Sequence, residues 1–167
     1  MKITDRTFFT QDGYTLAQQL IGTYICRSID GVVHRRQITE TECYLGTEDT
    51  ACHAHKGRTK RTEIMWRQGG VCYVYLCYGI HNLLNFISGE ADNPQGVLIR
   101  GVKGYDGPGK LTKALQIDRS FNGEDLTTSG RIWLETGEKL PFTATPRIGI
   151  NYADEKDRNA LWRFVAE

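Results

Sequence analysis

Thr23–Leu45 reads TYICRSIDGVVHRRQITETECYL. Two segments rich in apolar and β-branched residues, Thr23–Ser28 and Val32–Leu45, flank the pair Asp30-Gly31. An Asp-Gly pair between such runs is a strong signal for a two-residue hairpin turn. In the second arm, strand alternation puts Ile38, Glu40, Glu42 and Tyr44 on one face, because side chains repeat every two residues. Glu40 and Glu42 then stand about 6–7 Å apart, from the rise of ~3.3 Å per residue.

Further strands are expected on both sides of a polar middle. Val71–Tyr78 is aromatic and β-branched. Asn82–Ser88 and Val97–Val102 follow, separated by the loop 89–96, and Arg131–Glu135 and Ile148–Asn151 read as short strands. Helical spacing appears twice. Leu16, Ala17 and Leu20 share one side of 13–21, which Gly22 ends, and Leu111, Ala114 and Leu115 share one side of 110–116. Glu48–His55 reads as loop or a single helical turn, and Arg58–Arg67 as irregular. Strand-to-strand connections dominate. This predicts an α+β fold: one domain over residues 1–167 with a curved, largely antiparallel sheet flanked by short helices.

At 167 residues, with 40% hydrophobic and 25% charged content, the chain has ordinary globular composition and enough length for a real core. No run approaches the roughly 20 apolar residues of a membrane span. The start, MKITDRTFFTQDGY, lacks the apolar centre of a secretory signal. The five cysteines, Cys26, Cys43, Cys52, Cys72 and Cys77, are odd in number and form no Cys-x-x-Cys pair, which reads as free thiols in a reducing, intracellular compartment. Net charge is only +1, yet 54–67 sets Lys56, Arg58, Lys60, Arg61 and Arg67 against Glu63 alone. Such a strip is either a solvated loop or a phosphate-facing patch.

Four constellations bear on chemistry. A carboxylate on the Glu40/Glu42/Tyr44 face beside an aromatic suits a general base on a pocket wall, or else belongs to a solvated strand face. Cys43, Cys52, His53 and His55 are zinc-ligand types, but their spacing matches no common structural zinc pattern, and no metal is expected. In VCYVYLCYGIHN, Tyr73 and Tyr75 share a strand face and Tyr78 precedes a glycine turn; they are sheet filler or a platform for flat rings. GYDGPGKL, at 104–111, nearly matches a phosphate-binding loop, but Leu111 stands where a hydroxyl would hold magnesium. Glycines at a helix start with Lys110 still suit a backbone phosphate.

The blocks ETECYLGTEDTACH, YVYLCYGIHNLLN, GVLIRG, GPGKLTKAL and RIGINYA, in this order and spacing, resemble the alkyladenine (3-methyladenine) DNA glycosylase family from about residue 6 to residue 163. The resemblance implies an enzyme that hydrolyses the N-glycosidic bond of damaged purines flipped out of duplex DNA, without metal or organic cofactor. By the same resemblance Glu42 is the general base, with Glu40 its rival on the same face. Tyr44, His53 and Tyr75 wall the base pocket, with Asn85, Ile148 and Gly149 completing it. Tyr78 fills the gap left in the DNA stack, Arg100 lies near the flipped nucleotide's phosphate, and Arg147 belongs to the segment lining the site; Arg100, Lys110 and Arg147 are the cations expected to meet DNA phosphates. Cys43 beside the stacking tyrosine and His81 after the wedge turn depart from the pattern. A monomer acting on damaged double-stranded DNA is the expectation, in a bacterial cytoplasm at the nucleoid, or in a nucleus if the source is eukaryotic. A non-catalytic nucleic-acid-binding module using the same rings and cations is the alternative.

Overall fold

In the computed structural model, which describes residues 1–167, the hairpin forms as expected. Strands β1 (Tyr24–Ile29) and β2 (Val32–Tyr44) pair antiparallel from Tyr24↔Gln37 to Ile29↔Val32. The turn has left-handed backbone at both central residues, Asp30 (φ 50°) and Gly31 (φ 80°), the type I′ geometry that an Asp-Gly pair supplies. β2 is the hub of the molecule. Its first half pairs with β1, and its second half lies between β5 (Gln95–Val102) and β9 (Arg163–Ala166).

The sheet has nine strands, all paired antiparallel, and it curls into a half-barrel. Its path runs β3 (Cys72–Cys77), β4 (His81–Ser88), β5, β2, β1, β7 (Ile132–Glu135). Short β6 (Tyr105–Asp106) adds to β5, and β8 (Phe142–Thr145) adds to β9.

Helix α1 (Gly13–Leu20) begins at Asp12, whose carboxylate accepts from Thr15 N–H, and it buries Leu16, Ala17 and Leu20. Helix α2 (Pro108–Ala114) packs on β4, where Thr112 Oγ1 donates to Asn82 O at 2.7 Å. Both helices cover one face of the sheet, and the main core lies beneath them: Leu16, Leu20, Ile38, Cys43, Leu84, Phe86, Val97, Ile99 and Leu111. Each such buried aliphatic contributes about 1.5–3 kcal/mol over an exposed one. A smaller apolar cluster of Cys52, Ala54, Ile64, Met65, Tyr73 and Ile87 forms separately, where the 3₁₀ turns His53–Lys56 and Glu63–Trp66 meet β3 and β4. No helix is long and apolar enough to cross a membrane.

Two expectations fail. The pairing of β2 with β5 is irregular at Glu40, which opposes Gly101, one residue out of line with the flanking pairs Ile38–Val102 and Thr41–Ile99. This local β-bulge reverses the alternation along β2. Ile38 therefore joins Cys43 in the core, where fully buried Thr41 also bonds Ala17 O, rather than sharing a face with Glu40, Glu42 and Tyr44. Residues 148–151 are not a strand. They form a turn, with Gly149 at φ 75°, because Ile148 N–H is taken by a side chain instead of a ladder partner. Strands β6, β8 and β9 and helix α3 (Glu155–Asn159) lie where no element was read from the sequence.

Candidate active site

Glu42 sits on β2 with its side chain wholly buried. The bulge that sends Ile38 inward keeps Glu40, Glu42 and Tyr44 together on the opposite face. Tyr44 Oη donates to Glu42 Oε1 at 2.7 Å, and Ile148 N–H donates to Oε2 at 2.7 Å. Arg100 Nε stands 3.8 Å from Oε2. Burial pushes the Glu42 pKa above the ordinary carboxylate value, opposed by the Arg100 charge and the two hydrogen bonds.

Glu40 has different company. Its Oε2 accepts from Arg100 Nε at 2.9 Å and from Arg163 Nε at 2.7 Å. Two guanidiniums hold this carboxylate, and the side chain is only 16% exposed. Both contacts fall on the one oxygen, Oε2, and Glu40 is not among the residues lining the cavity beside Tyr44. Arg163 enters because β9 pairs with β2, an element the sequence did not reveal.

A cavity of about 40 Å³ lies beside Tyr44, walled by His53, Tyr73, Tyr75, Asn85 and Tyr152 and floored by Ala51, Cys52 and Met65. That volume holds a few waters and is smaller than a purine. The His53 and Tyr75 rings meet at 4.5 Å between centroids, and Tyr73 and Tyr75 at 5.4 Å. His53 Nδ1 is 2.9 Å from Tyr73 Oη. Burial, with Arg61 and Lys56 nearby, pulls the His53 pKa down to about 4, so the imidazole is neutral at pH 7. Asn85 donates to Tyr73 O at 3.2 Å, which fixes its amide at the wall. Beyond Ala51, Cys52, His53 and Tyr152 opens a wider cavity of about 360 Å³, edged by the cations Lys56 and Arg61 and the hydroxyls of Thr59 and Thr62.

The turn between β3 and β4 projects outward. Tyr78 is 90% exposed and Ile80 72%. Tyr78 holds a left-handed backbone, φ 53°, an uncommon state for a large side chain that costs on the order of 1–3 kcal/mol.

A family model described as methylpurine-DNA glycosylase matches residues 7–105 and 103–167. The chain belongs to this family. It is a DNA glycosylase, hence a hydrolase that acts on DNA. The glycosylase is 44% identical to a protein of Borreliella afzelii across 98% of this chain and 95% of that one. A Psychrobacter cryohalolentis protein is 42% identical, with 95% and 89% covered, and a Clostridium beijerinckii protein 40% identical, with 99% and 96% covered. All three are provisionally named 3-methyladenine DNA glycosylases.

Within the glycosylase, Tyr44, His53, Tyr75 and Asn85 line the cavity, and Glu42 lies buried behind Tyr44, hydrogen-bonded to its hydroxyl. Ile148 adjoins Glu42 through its backbone contact, with its side chain 48% exposed. Gly149 follows in the exposed turn and is not a wall. Lys110 is exposed on α2. The phosphate expectation for Arg147 requires correction. Its side chain is wholly buried, held by Asp49 through two bonds of 2.7 and 2.9 Å. A guanidinium with no exposed surface has no donor to offer a phosphate. Arg100 is 16% exposed and joined to Glu40, so it faces inward to the two carboxylates. Cys43 and Cys52 lie in two different apolar clusters, and no group of three or more His, Cys, Asp or Glu side chains is arranged to hold a metal.

Sequence reasoning missed Tyr73, Tyr152, Asp49 and Arg163. Tyr73 was seen as a ring but not as the partner of His53. Tyr152 Oη donates to Ala51 O at 2.8 Å and closes the cavity from a loop 101 residues away in sequence; only its place inside the RIGINYA block could have marked it.

Proposed function

We propose that the glycosylase hydrolyses the bond between a damaged purine and its deoxyribose in double-stranded DNA, leaving an abasic site. The observation that carries this reading is the contrast between Glu40, gripped by two arginines, and Glu42, which meets the cavity edge through a tyrosine hydroxyl and a backbone N–H. Glu42 is the carboxylate joined directly to a residue of the cavity wall, Tyr44. Its two hydrogen bonds and Arg100 favour the ionised form against burial.

The steps balance simply. The bond from the purine nitrogen to C1′ breaks, and its electron pair leaves with the base. Positive charge grows on the sugar and is stabilised by the Glu42 carboxylate. Water oxygen bonds to C1′, and the water's proton passes to Glu42. A purine alkylated on the ring already carries positive charge and leaves as a neutral molecule.

Extruding a base costs a few kcal/mol, less when it is damaged or mispaired. Stacking on Tyr44 and Tyr75 returns roughly 1–3 kcal/mol per contact. A cationic ring over a tyrosine face gains about 0.5–2 kcal/mol more. Tyr78 enters the space the base vacates, helped by Ile80. A neutral His53 suits a cationic guest, since a charged imidazole would repel it. Because the cavity is smaller than a purine, His53 and Tyr75 separate when a base enters. Exposed Lys56, Arg61 and Lys110 contact the phosphates.

The names of the relatives support 3-methyladenine as the first substrate; by the charge argument above 7-methylguanine comes next, with hypoxanthine and ethenoadenine as neutral, slower cases. The test is incubation with one duplex carrying each lesion in turn, followed by alkaline cleavage at abasic sites. Excision of 3-methyladenine and 7-methylguanine without ATP or added metal is expected. Binding of lesion duplex with no abasic product from any lesion would instead make this a non-catalytic binding module.

A further inference from the structure

Behind Glu42 lies a buried knot whose centre, Arg147 and Asp49, does not line the cavity. Arg147 donates twice to Asp49, once to Cys43 O at 3.1 Å and once to Asp157 O at 3.3 Å. Its guanidinium lies 4.9 Å from the Tyr44 ring centroid and 4.8 Å from that of Trp162. Asp49 in turn accepts from Leu45 N–H at 2.9 Å and Ala51 N–H at 3.1 Å. Both neighbours that hydrogen-bond Glu42 are thus in Arg147's grip. Ile148, whose N–H meets Oε2, is the next residue in the chain. Tyr44, whose hydroxyl meets Oε1, packs on the guanidinium, and the Cys43 carbonyl that Arg147 binds lies between Glu42 and Tyr44.

We infer that Arg147, clamped on Asp49, is a positioning residue for the reaction: it aims the Ile148 N–H and the Tyr44 hydroxyl at the two oxygens of Glu42. The inference rests on Glu42 as the base. Arg147 itself meets neither DNA nor substrate, because its side chain has no exposed surface. A fork-shaped guanidinium is required here. Lysine supplies a point charge that can face Asp49 but cannot bind a carboxylate in two places while also reaching two carbonyls. Losing the fork leaves the fold its buried charge and removes the aim of the loop at Ile148. Misplacement by about 1 Å costs on the order of 100-fold in rate.

The test uses the full chain with Arg147→Lys, and Asp49→Asn as a second variant in case the first does not fold. Single-turnover excision of 3-methyladenine is followed from pH 5 to pH 8.5, and lesion-duplex affinity is measured separately. Removing a donor from an ionised carboxylate raises its pKa, so the rise in rate with pH should start at higher pH. The inference expects excision about 10–100-fold slower at neutral pH, affinity within about twofold of the parent, and a displaced acid limb. Parent-like rates overturn it. So does a rate loss matched by an equal loss of affinity or of active protein with the acid limb in place, which is what a merely structural role produces. Glu42→Gln is run in parallel. If that variant excises like the parent, the reading of Glu42 fails as well; if it is inactive while Arg147→Lys keeps the parental acid limb, only the clamp fails.

Discussion

The Glu42 wall and the β3–β4 turn are built by opposite rules. At the wall, buried polar atoms are partnered, Arg147 Nε excepted: Glu42 by Tyr44 and Ile148, Asp49 by Arg147, Leu45 and Ala51. At the turn, Tyr78 and Ile80 stand in solvent on a left-handed backbone with nothing packed on them. The wall keeps a carboxylate in one orientation at low dielectric, where its charge acts strongly. The turn keeps apolar surface ready for a partner that supplies its own burial. Under the proposed function, chemistry falls to the buried region and DNA distortion to the exposed one, and substitutions in the two should fail differently.

The largest stability effect belongs to the wall. Asp49→Ala leaves Arg147 buried without its partner and should lower unfolding free energy by about 3–5 kcal/mol, read by denaturant melts. Tyr78→Ala should do nothing comparable to stability. It should instead weaken binding to lesion duplex by the stacking contribution, about 1–3 kcal/mol, with excision slowed to match. If Tyr78→Ala also destabilised the free protein, the division between the two regions would be false.

Acid sharpens the contrast within the wall itself. His53 has its pKa lowered to about 4 from 6.5, so the unfolded chain binds the extra proton first and stability falls as pH drops through that window. Glu42 has the opposite shift, because burial raises it, and so its contribution improves as pH falls. Replacing His53 with Gln should reduce the loss of stability between pH 6.5 and pH 4. In the parent, excision should rise with pH along a limb lying above the usual glutamate value. The smallest effect concerns salt. Each phosphate contact contributes about −0.9 to the log–log slope of affinity against salt on duplex DNA. Arg61→Ala or Lys110→Ala should flatten the slope by about that amount, whereas Arg147→Lys should leave it unchanged.

How much of this was legible depends on sequence distance. The hairpin at Asp30-Gly31, the aromatic strand at 72–77 and the apolar spacing of α1 are local signals, and each formed within a residue or two of its expected span. The bulge at Glu40 was not legible, because it arises from pairing with β5 some 60 residues on. Strand β8 reads FTAT and buries none of its residues fully, so it carries no burial pattern, and β9 exists because β2 offers it an edge. At the site, Glu42, Tyr44 and His53 stood out by residue type and by family resemblance. Arg147 carried the right charge for a phosphate contact but the wrong exposure, and exposure depends on Asp49, 98 residues away. Charge can be read from a string; what neutralises it has to be read from the fold.

Single-turnover excision of 3-methyladenine by Glu42→Gln and Glu40→Gln, side by side at pH 7.5 with lesion-duplex affinity measured for both, tests the central claim most directly. The account predicts that Glu42→Gln binds like the parent and loses excision by about 10²–10⁴-fold, while Glu40→Gln keeps excision within about tenfold. Fast excision by Glu42→Gln together with its loss in Glu40→Gln would contradict it and move the base to the carboxylate held by the two arginines.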